Sequence, residues 1–249
     1  MKIIKLSMVV GLSLAWFSSL NAAGIADIYW YEAKPGKVQE VEALMREGRD
    51  IAIASGQTTI VHKQNVGVGG EYRFLWVDFY ESYSQKAKQA YSDVGNVYTK
   101  GWEAYIRKLE SSDALKPVRS YSMTSLDEIN PGNYIVQVYT WDPKPGQFAE
   151  SLAAMEEAKE IFESHGYLID IWQHGLGSGN YLQFVMLSES REAQAKSFEA
   201  LLNDEKWAPK QLDWFDKEKY GSLVESYDCL LYTSTSPRDR TRSRMPSSA

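Results

Sequence analysis

The sequence predicts an α+β fold built from two copies of one β-α-β-β-α-β unit. Two observations carry this prediction: landmarks of the first half recur in the second half at a constant offset of 110 residues, and the hydrophobic periodicity changes in the same order within each half. No insertion or deletion separates the landmarks, which indicates a duplicated supersecondary unit. The matched landmarks are Lys34-Pro35-Gly36 with Lys144-Pro145-Gly146, Gly56 with Gly166, Gly67 with Gly177, Gly69 with Gly179, and Phe74 with Phe184.

Each half is predicted to open with a strand, a turn and a helix. Residues 25–31 and 134–141 are rich in β-branched and aromatic side chains, and both segments end at a Lys-Pro-Gly turn. Apolar residues then recur at helical spacing, over 38–51 in the first half and over 148–162 in the second. A glycine follows each helix at the position of a C-terminal cap.

A hairpin, a second helix and a closing strand complete each half. The glycine-rich loop of each hairpin leads from strand to strand, whereas a phosphate-binding loop leads from a strand to a helix N-terminus, so a dinucleotide site is disfavoured. The predicted strands are 58–64, 72–80 and 118–124 in the first half and 168–174, 182–188 and 223 onward in the second, with helices at 83–110 and 191–214.

The order β-α-β-β-α-β, repeated, is the ferredoxin-like plan. A single copy would leave one sheet face bare, because both helices lie on the other face, and two copies solve this by facing their sheets together. On this topology and the duplication, residues 24–228 resemble the dimeric α/β-barrel superfamily as a fused tandem, with repeats at 24–127 and 128–228. That superfamily includes NIPSNAP-like proteins, stress-responsive barrel proteins and antibiotic-biosynthesis-type monooxygenases. The resemblance implies an intrachain barrel in a monomer with an internal pseudo-dimer.

The N-terminal segment is predicted to be a secretory signal peptide. Residues 1–23 contain a short basic start, an apolar run and a final pair of small residues. The apolar run is shorter than the roughly 20 residues that span a bilayer, so cleavage is favoured over an uncleaved membrane anchor. We therefore expect a periplasmic or secreted protein.

The C-terminal segment, residues 229–249, resembles a translated sequencing-library adapter. We expect it to be foreign and disordered, although Thr235 departs from the adapter pattern. The alternative is a natural basic tail for anionic lipid or nucleic acid, since it contains four arginines. If the segment is foreign, the only cysteine, Cys229, is foreign too, and the rest of the chain has no disulfide or thiol chemistry.

The charge of the predicted mature chain disfavours polyanionic partners. The formal net charge of the full sequence is −6, of which the signal segment contributes +2 and the tail +3, so residues 24–228 carry −11. Long-range attraction to nucleic acid or to an anionic membrane is therefore excluded. We expect a small aromatic or apolar partner, and no membrane association after signal cleavage.

Alternation along the strands predicts a ligand pocket between the two copies. One face of each strand is aliphatic and is expected to lie beneath the helices, while the other carries aromatic rings and polar groups and is expected to line the lumen. Such a face suits a flat, partly polar ligand, although the same rings could simply fill the barrel. The predicted ligand-binding residues are Asp27, Tyr29, Tyr31, Gln64, Trp76, Asp78, Gln137, Tyr139, Trp141, Trp172 and Phe184.

His62 and His174 are the predicted candidates for proton transfer, because histidine titrates near neutrality and both lie on the predicted lumen face. A structural role is the alternative for each. No cofactor and no metal site are expected, and hydrolase, kinase and zinc-protease motifs are absent from the sequence. Two functions remain: an exported, non-catalytic barrel that binds a small molecule in its lumen, or a protein similar to the cofactor-independent monooxygenases that acts on a phenolic substrate. A barrel filled by its own side chains is the third possibility.

Overall fold

The computed structural model describes residues 24–90, 100–130, 132–214 and 216–231. Each half runs strand, helix, strand, strand, helices, strand. The first half contains β1 (Ile25–Ala33), α1 (Val38–Ala54), β2 (Thr58–Val66), β3 (Arg73–Tyr80), α2 (Tyr83–Ala90), α3 (Lys100–Ser111) and β4 (Leu115–Ser125). The second half contains β5 (Ile135–Asp142), α4 (Phe148–Ser164), β6 (Leu168–His174), β7 (Leu182–Ser188), α5 (Arg191–Leu202), α6 (Ala208–Trp214), α7 (Lys217–Tyr220) and β8 (Ser222–Leu231).

The strands form one closed antiparallel barrel in the order β1-β3-β2-β8-β5-β7-β6-β4. The predicted α+β class is therefore confirmed. Within the first half β1 pairs with β3 and β4, and within the second half β5 pairs in the same way with β7 and β8. The two sets of pairings give the halves matching topologies.

Two pairings between the halves close the barrel. β2 pairs with β8, which places Gln64 opposite Cys229, and β4 pairs with β6, which places Met123 opposite His174. The sheets of the two halves are thus joined edge to edge. The sequence had instead suggested two separate sheets packed face to face. Closure leaves no edge unpaired among the described strands, which removes the exposed hydrogen-bonding groups that two separate sheets would carry.

The eighth strand extends past the predicted start of the tail. Cys229 is fully buried and lies opposite both Gln64 and Val136. The predicted disorder is therefore wrong for residues 229–231. Residues 232–249 and the predicted signal segment 1–23 lie outside the described residues, so the remaining predictions for both ends stay predictions.

The long second helix predicted for the second half is interrupted, and the one predicted for the first half is described only in part. In the second half α5 ends at Leu202 and α6 begins at Ala208, because the Asp204 carboxylate accepts hydrogen bonds from the backbone of Lys206 and Trp207, both at 2.7 Å, and caps a new helix. In the first half α2 ends at Ala90 and α3 begins at Lys100, and the residues between them are not described.

Three hydrophobic cores divide the molecule into an interior and two outer layers. The core inside the barrel draws on both halves, with Ile28 and Val77 from the first packing with Val138 and Val185 from the second. A second core lies between the first-half sheet and α1. The third lies between the second-half sheet and α4 to α6. The sheet is therefore covered by side chains on both faces.

Gly177 offers a test of how the β6–β7 loop packs on β4. The residue has φ +86°, and a Cβ there would lie 2.6 Å from the backbone oxygen of Ser120. We expect Gly177→Ala to lower the free energy of unfolding by about 2–4 kcal/mol through backbone strain and this clash, measured by urea denaturation.

Gly36 is the matched control, because its φ is +78° but open space surrounds it. Gly36→Ala should cost only about 1 kcal/mol, the strain of the left-handed conformation alone. Equal losses in the two variants would contradict the close packing of the loop on β4.

Candidate functional site

Two cavities hold six of the thirteen side chains that the sequence singled out. The lumen cavity, of about 140 Å³, lies inside the barrel, and the outer cavity, of about 270 Å³, lies between the first-half sheet and α3. The lumen cavity is lined mainly by Ile28, Ile60, His62, Leu75, Val77, Val136, Val138, Asp170, Trp172 and Val185. The outer cavity is lined by Tyr29, Tyr31, Met45, Trp76, Asp78, Tyr80, Trp102, Tyr105, Ile106 and Leu109.

On four strands the faces are the reverse of those predicted. On these strands, β1, β3, β5 and β7, the side chains predicted to bind a ligand lie on the helix side, and the opposite faces, which are mainly aliphatic but include Trp30 and Phe79, point into the barrel. The prediction that these residues line the lumen is therefore wrong for the four strands. The residues concerned are Asp27, Tyr29, Tyr31, Trp76, Asp78, Gln137, Tyr139, Trp141 and Phe184.

The reversal has a packing cause. An eight-stranded barrel is just wide enough to be filled by its own side chains, so compact branched residues suit the interior. The helices provide broad aromatic surfaces instead. Trp76 lies 6.0 Å from Trp102 of α3, and Phe184 lies 5.2 Å from Trp214 of α6, measured between ring centroids. Aromatic rings on the sheet therefore face aromatic rings on the helices.

The second and sixth strands have the predicted faces. His62 and Trp172 line the lumen cavity. Gln64 lies two residues after His62 on the same face of β2 and is almost fully buried, with its amide nitrogen donating to the Val66 carbonyl at 3.1 Å. His174 lies inside the barrel but not on the lumen cavity. These histidines therefore occupy different surroundings.

His174 is held by its neighbours in the barrel wall. Its ring stacks on Tyr121 at 4.6 Å, and its Nδ1 lies 2.9 Å from the Ser178 hydroxyl. Burial and, to a smaller degree, the nearby Arg119 lower the pKa of His174 to about 4. A neutral, stacked and hydrogen-bonded ring of this kind fits a structural role.

Asp78 is the buried carboxylate of the outer cavity. Its Oδ1 accepts hydrogen bonds from the Thr59 hydroxyl at 2.5 Å and from Trp76 Nε1 at 2.9 Å. Burial raises the pKa of Asp78 to about 6 despite these hydrogen bonds. Within the described residues no lysine or arginine forms an ion pair with it. Near pH 7 and above, the cavity therefore contains a negative charge without a paired cation.

The neighbouring carboxylate, Asp27, is already neutralised. It lies opposite Asp78 in the β1–β3 register, and its Oδ1 accepts from Lys86 Nζ and from the Ser122 hydroxyl, each at 2.5 Å. Lys86 comes from α2 and is buried by this contact. The two carboxylates are therefore distinct: Asp27 forms an ion pair with Lys86, and Asp78 has no such pair among the described residues.

Tyr105 forms part of the aromatic wall because Gly48 makes room for it. A Cβ at position 48 of α1 would lie 2.2 Å from the Tyr105 ring, so only glycine lets this ring approach the helix. The Tyr105 hydroxyl is buried and has no hydrogen-bond partner among the described residues. Its ring centroid lies 5.3 Å from that of Trp102.

The pattern of the strand residues did not predict that α3 supplies part of the wall of the outer cavity. Trp102, Tyr105, Ile106 and Leu109 recur at helical spacing and could have been recognised as one inward face. Sequence alternation alone places residues on a strand face but does not say which helix covers it.

The corresponding region of the second half is largely filled. There Phe162, Trp207 and Trp214 pack together, with Phe162 and Trp207 only 4.7 Å apart, and the remaining cavity is about 80 Å³. At the position 110 residues after Asp78 the chain has Ser188. The outer cavity with its carboxylate is therefore a feature of the first half.

Similar folds occur among solved structures. A Fusobacterium nucleatum protein provisionally described as a monooxygenase is 12% identical, with a TM-score of 0.59, over 85% of this chain and 94% of that chain. A Lactobacillus acidophilus protein with the same provisional description is 10% identical, with a TM-score of 0.56, over 85% and 95%. An anthrone oxidase-like protein is 14% identical, with a TM-score of 0.54, over 85% and 94%.

The chain shares the ferredoxin-like α/β-barrel fold of these proteins. At such low identity the likeness extends to the fold alone. No protein-family model matches the sequence, and no curated protein matches it.

The described residues contain no group of three or more His, Cys, Asp or Glu side chains placed to hold a metal ion. None of the helices in this part of the chain combines the length and the apolar character needed to cross a bilayer.

Asp78 should make folding stability depend on pH. Because its pKa is about 6 in the folded protein against an ordinary value of 3.8, the ionised carboxylate destabilises the fold above pH 6, and this penalty disappears as the pH falls below 4. We expect Asp78→Asn to raise the free energy of unfolding at pH 8 by on the order of 1–3 kcal/mol, with no difference below pH 4.

Asp113→Asn is the control for this measurement, because the Asp113 side chain is 80% exposed. It should change the free energy of unfolding by less than about 0.5 kcal/mol at either pH. Urea denaturation at a series of pH values provides the data. A destabilised Asp78→Asn protein at pH 8 would contradict the unpaired carboxylate.

Proposed function

We propose that this protein is an exported small-molecule-binding barrel whose ligand is a small organic cation held in the outer cavity. The observation that carries the proposal is the buried carboxylate of Asp78, which no cation of the described residues pairs with, inside a wall of six aromatic side chains. Those aromatic residues are Tyr29, Tyr31, Trp76, Tyr80, Trp102 and Tyr105.

Aromatic walls and a carboxylate favour the same kind of ligand. The faces of Trp and Tyr rings attract cations, by about 0.5–2 kcal/mol for each well-placed ring, and weakly hydrated ammonium groups lose little on leaving water. The charge of Asp78 adds direct attraction, strengthened by the low dielectric of its surroundings. The negative charge of Asp78 would repel an anionic ligand. The charge of −11 on residues 24–228 also raises the local concentration of cations around the protein.

The size of the outer cavity limits the ligand. Its volume of about 270 Å³ lies just below the roughly 300 Å³ at which pockets for drug-sized molecules begin. A quaternary or protonated amine with one short substituent fits this space. Large multi-ring molecules do not.

We also propose that the chain is a fused tandem of two ferredoxin-like repeats and is monomeric. The matching strand pairings of the two halves and the recurring landmarks support a duplication. Since the two halves close the barrel between themselves, no second chain is needed to complete it. A solution mass of two chains by light scattering would contradict the monomer.

A cofactor-independent monooxygenase is the second candidate. The descriptions of proteins with a similar fold favour a monooxygenase. The pKa values of the two candidate bases, His62 and His174, do not favour it. The pKa values of His62 and His174 are both lowered to about 4, chiefly by burial, which makes them weak bases toward a phenol of pKa about 10. Oxygen consumption with a phenolic substrate, lost in His62→Gln, would favour this candidate over a binding protein.

Choline and its neutral analogue 3,3-dimethylbutanol test the cation site directly, because they have nearly the same shape. We expect choline to bind at least about tenfold more tightly, since only the ammonium group interacts with Asp78 and the ring faces. Asp78→Asn should weaken choline binding by about tenfold or more and leave the alcohol unaffected. For the native protein, choline affinity should fall as the pH is lowered through about 6, because Asp78 then becomes neutral. Calorimetry or the fluorescence of Trp76 and Trp102 reports binding.

Asp170→Asn is the matched control. Asp170 is also buried, with a pKa raised by burial to about 6, but it lines the lumen cavity and not the outer one. Its replacement should leave choline binding unchanged. Equal affinity for choline and the alcohol, or equal losses in the two variants, would overturn the proposed cation site.

A further inference from the structure

The lumen cavity contains a buried polar group, the imidazole ring of His62. His62 is 3% exposed and lines this cavity, and neither of its ring nitrogens has a hydrogen-bond partner among the described residues. The backbone of Tyr134 lies near the ring but does not meet either nitrogen in hydrogen-bond geometry. Leaving both nitrogens of a buried imidazole unpaired costs folding free energy, so an unpaired ring of this kind calls for a partner.

The shape of the lumen cavity selects small molecules. Its volume of about 140 Å³ is close to that of an engineered apolar cavity of about 150 Å³ that binds benzene. Most of its wall is aliphatic, formed by isoleucine, valine and leucine side chains from both halves. One six-membered ring fits this space, and a second ring does not.

The chemistry of His62 selects the polar group on that ring. Burial lowers its pKa to about 4, so the imidazole is neutral near pH 7 and has one donor and one acceptor nitrogen. A hydroxyl group can both donate to and accept from such a ring. The carboxylate on the wall, that of Asp170, already accepts two hydrogen bonds from Asn130, at 3.1 Å from its backbone nitrogen and 2.7 Å from its side-chain amide.

We infer that the lumen cavity is a second binding site, separate from the outer cavity, which takes a neutral single-ring molecule whose hydroxyl group hydrogen-bonds to His62. The aliphatic wall holds the ring, and His62 fixes its orientation. The site draws on both halves of the barrel, whereas the outer cavity belongs to the first half alone.

Phenol and toluene are the probes, because they differ mainly in the hydroxyl group. By calorimetry on the native protein we expect phenol to bind about five- to twentyfold more tightly than toluene, the difference that one buried hydrogen bond provides. His62→Leu should abolish this preference while toluene still binds, because the replacement keeps an apolar wall. Val138→Phe, which fills the cavity, should abolish the binding of both probes.

Two further variants test whether the phenol preference belongs to His62 and to this cavity. His174→Gln alters the other buried histidine of the barrel, which does not line the cavity, and should leave the phenol preference intact. Asp78→Asn should likewise leave phenol binding unchanged, so the experiments test the lumen site and the proposed cation site independently of each other. Absence of phenol binding at millimolar concentration, or a preference for phenol that survives His62→Leu, would overturn the inference.

Discussion

The antiparallel pairings of β2 with β8 and of β4 with β6 determine the rest of this structure. Because they join the two halves edge to edge, the strands have one face turned into the barrel, and the outer face of most of them is covered by helices. The interior is then filled by aliphatic side chains of both halves together with a few rings such as Trp30 and Trp172, while the aromatic rows of β1 and β3 that contain Tyr29 and Trp76 lie on the helix side. Both cavities follow from this division, one within the barrel and one beneath α3.

The sequence predicted the topology well because the topology has a local signal. Recurring landmarks and changes of periodicity place strands, turns and first helices correctly. The orientation of a strand is a tertiary property, however, and alternation alone leaves two choices. Tyr29 and Trp76 show the difficulty, because a row of aromatic residues fits a ligand-binding lumen as well as the underside of α3. The sequence placed His62 on the correct face, because the strongly apolar Val61 next to it in β2 lies on the opposite face, in the core beneath α1.

The second half shows how the same framework can be stabilised without a polar cavity. Where the first half has Asp78 and open space, the second has Ser188 and a cluster of Phe162, Trp207 and Trp214. The aromatic cluster buries a large apolar area, and it avoids the cost of a buried carboxylate. The second half is thus stabilised by packed rings, whereas the first half retains the buried carboxylate and the open space in which we propose that a ligand binds.

Closure also sets the order in which the cavities can form. Gln64 and its partner Cys229 are about 165 residues apart in the chain, so the β2–β8 pairing closes a very long loop. Pairings of this separation slow folding, and we expect them to form after the contacts within each half. The outer cavity, which needs only residues 29 to 109, is then complete early, while the lumen is sealed in the last step. A molecule added during refolding would reach the lumen site most easily before that seam closes.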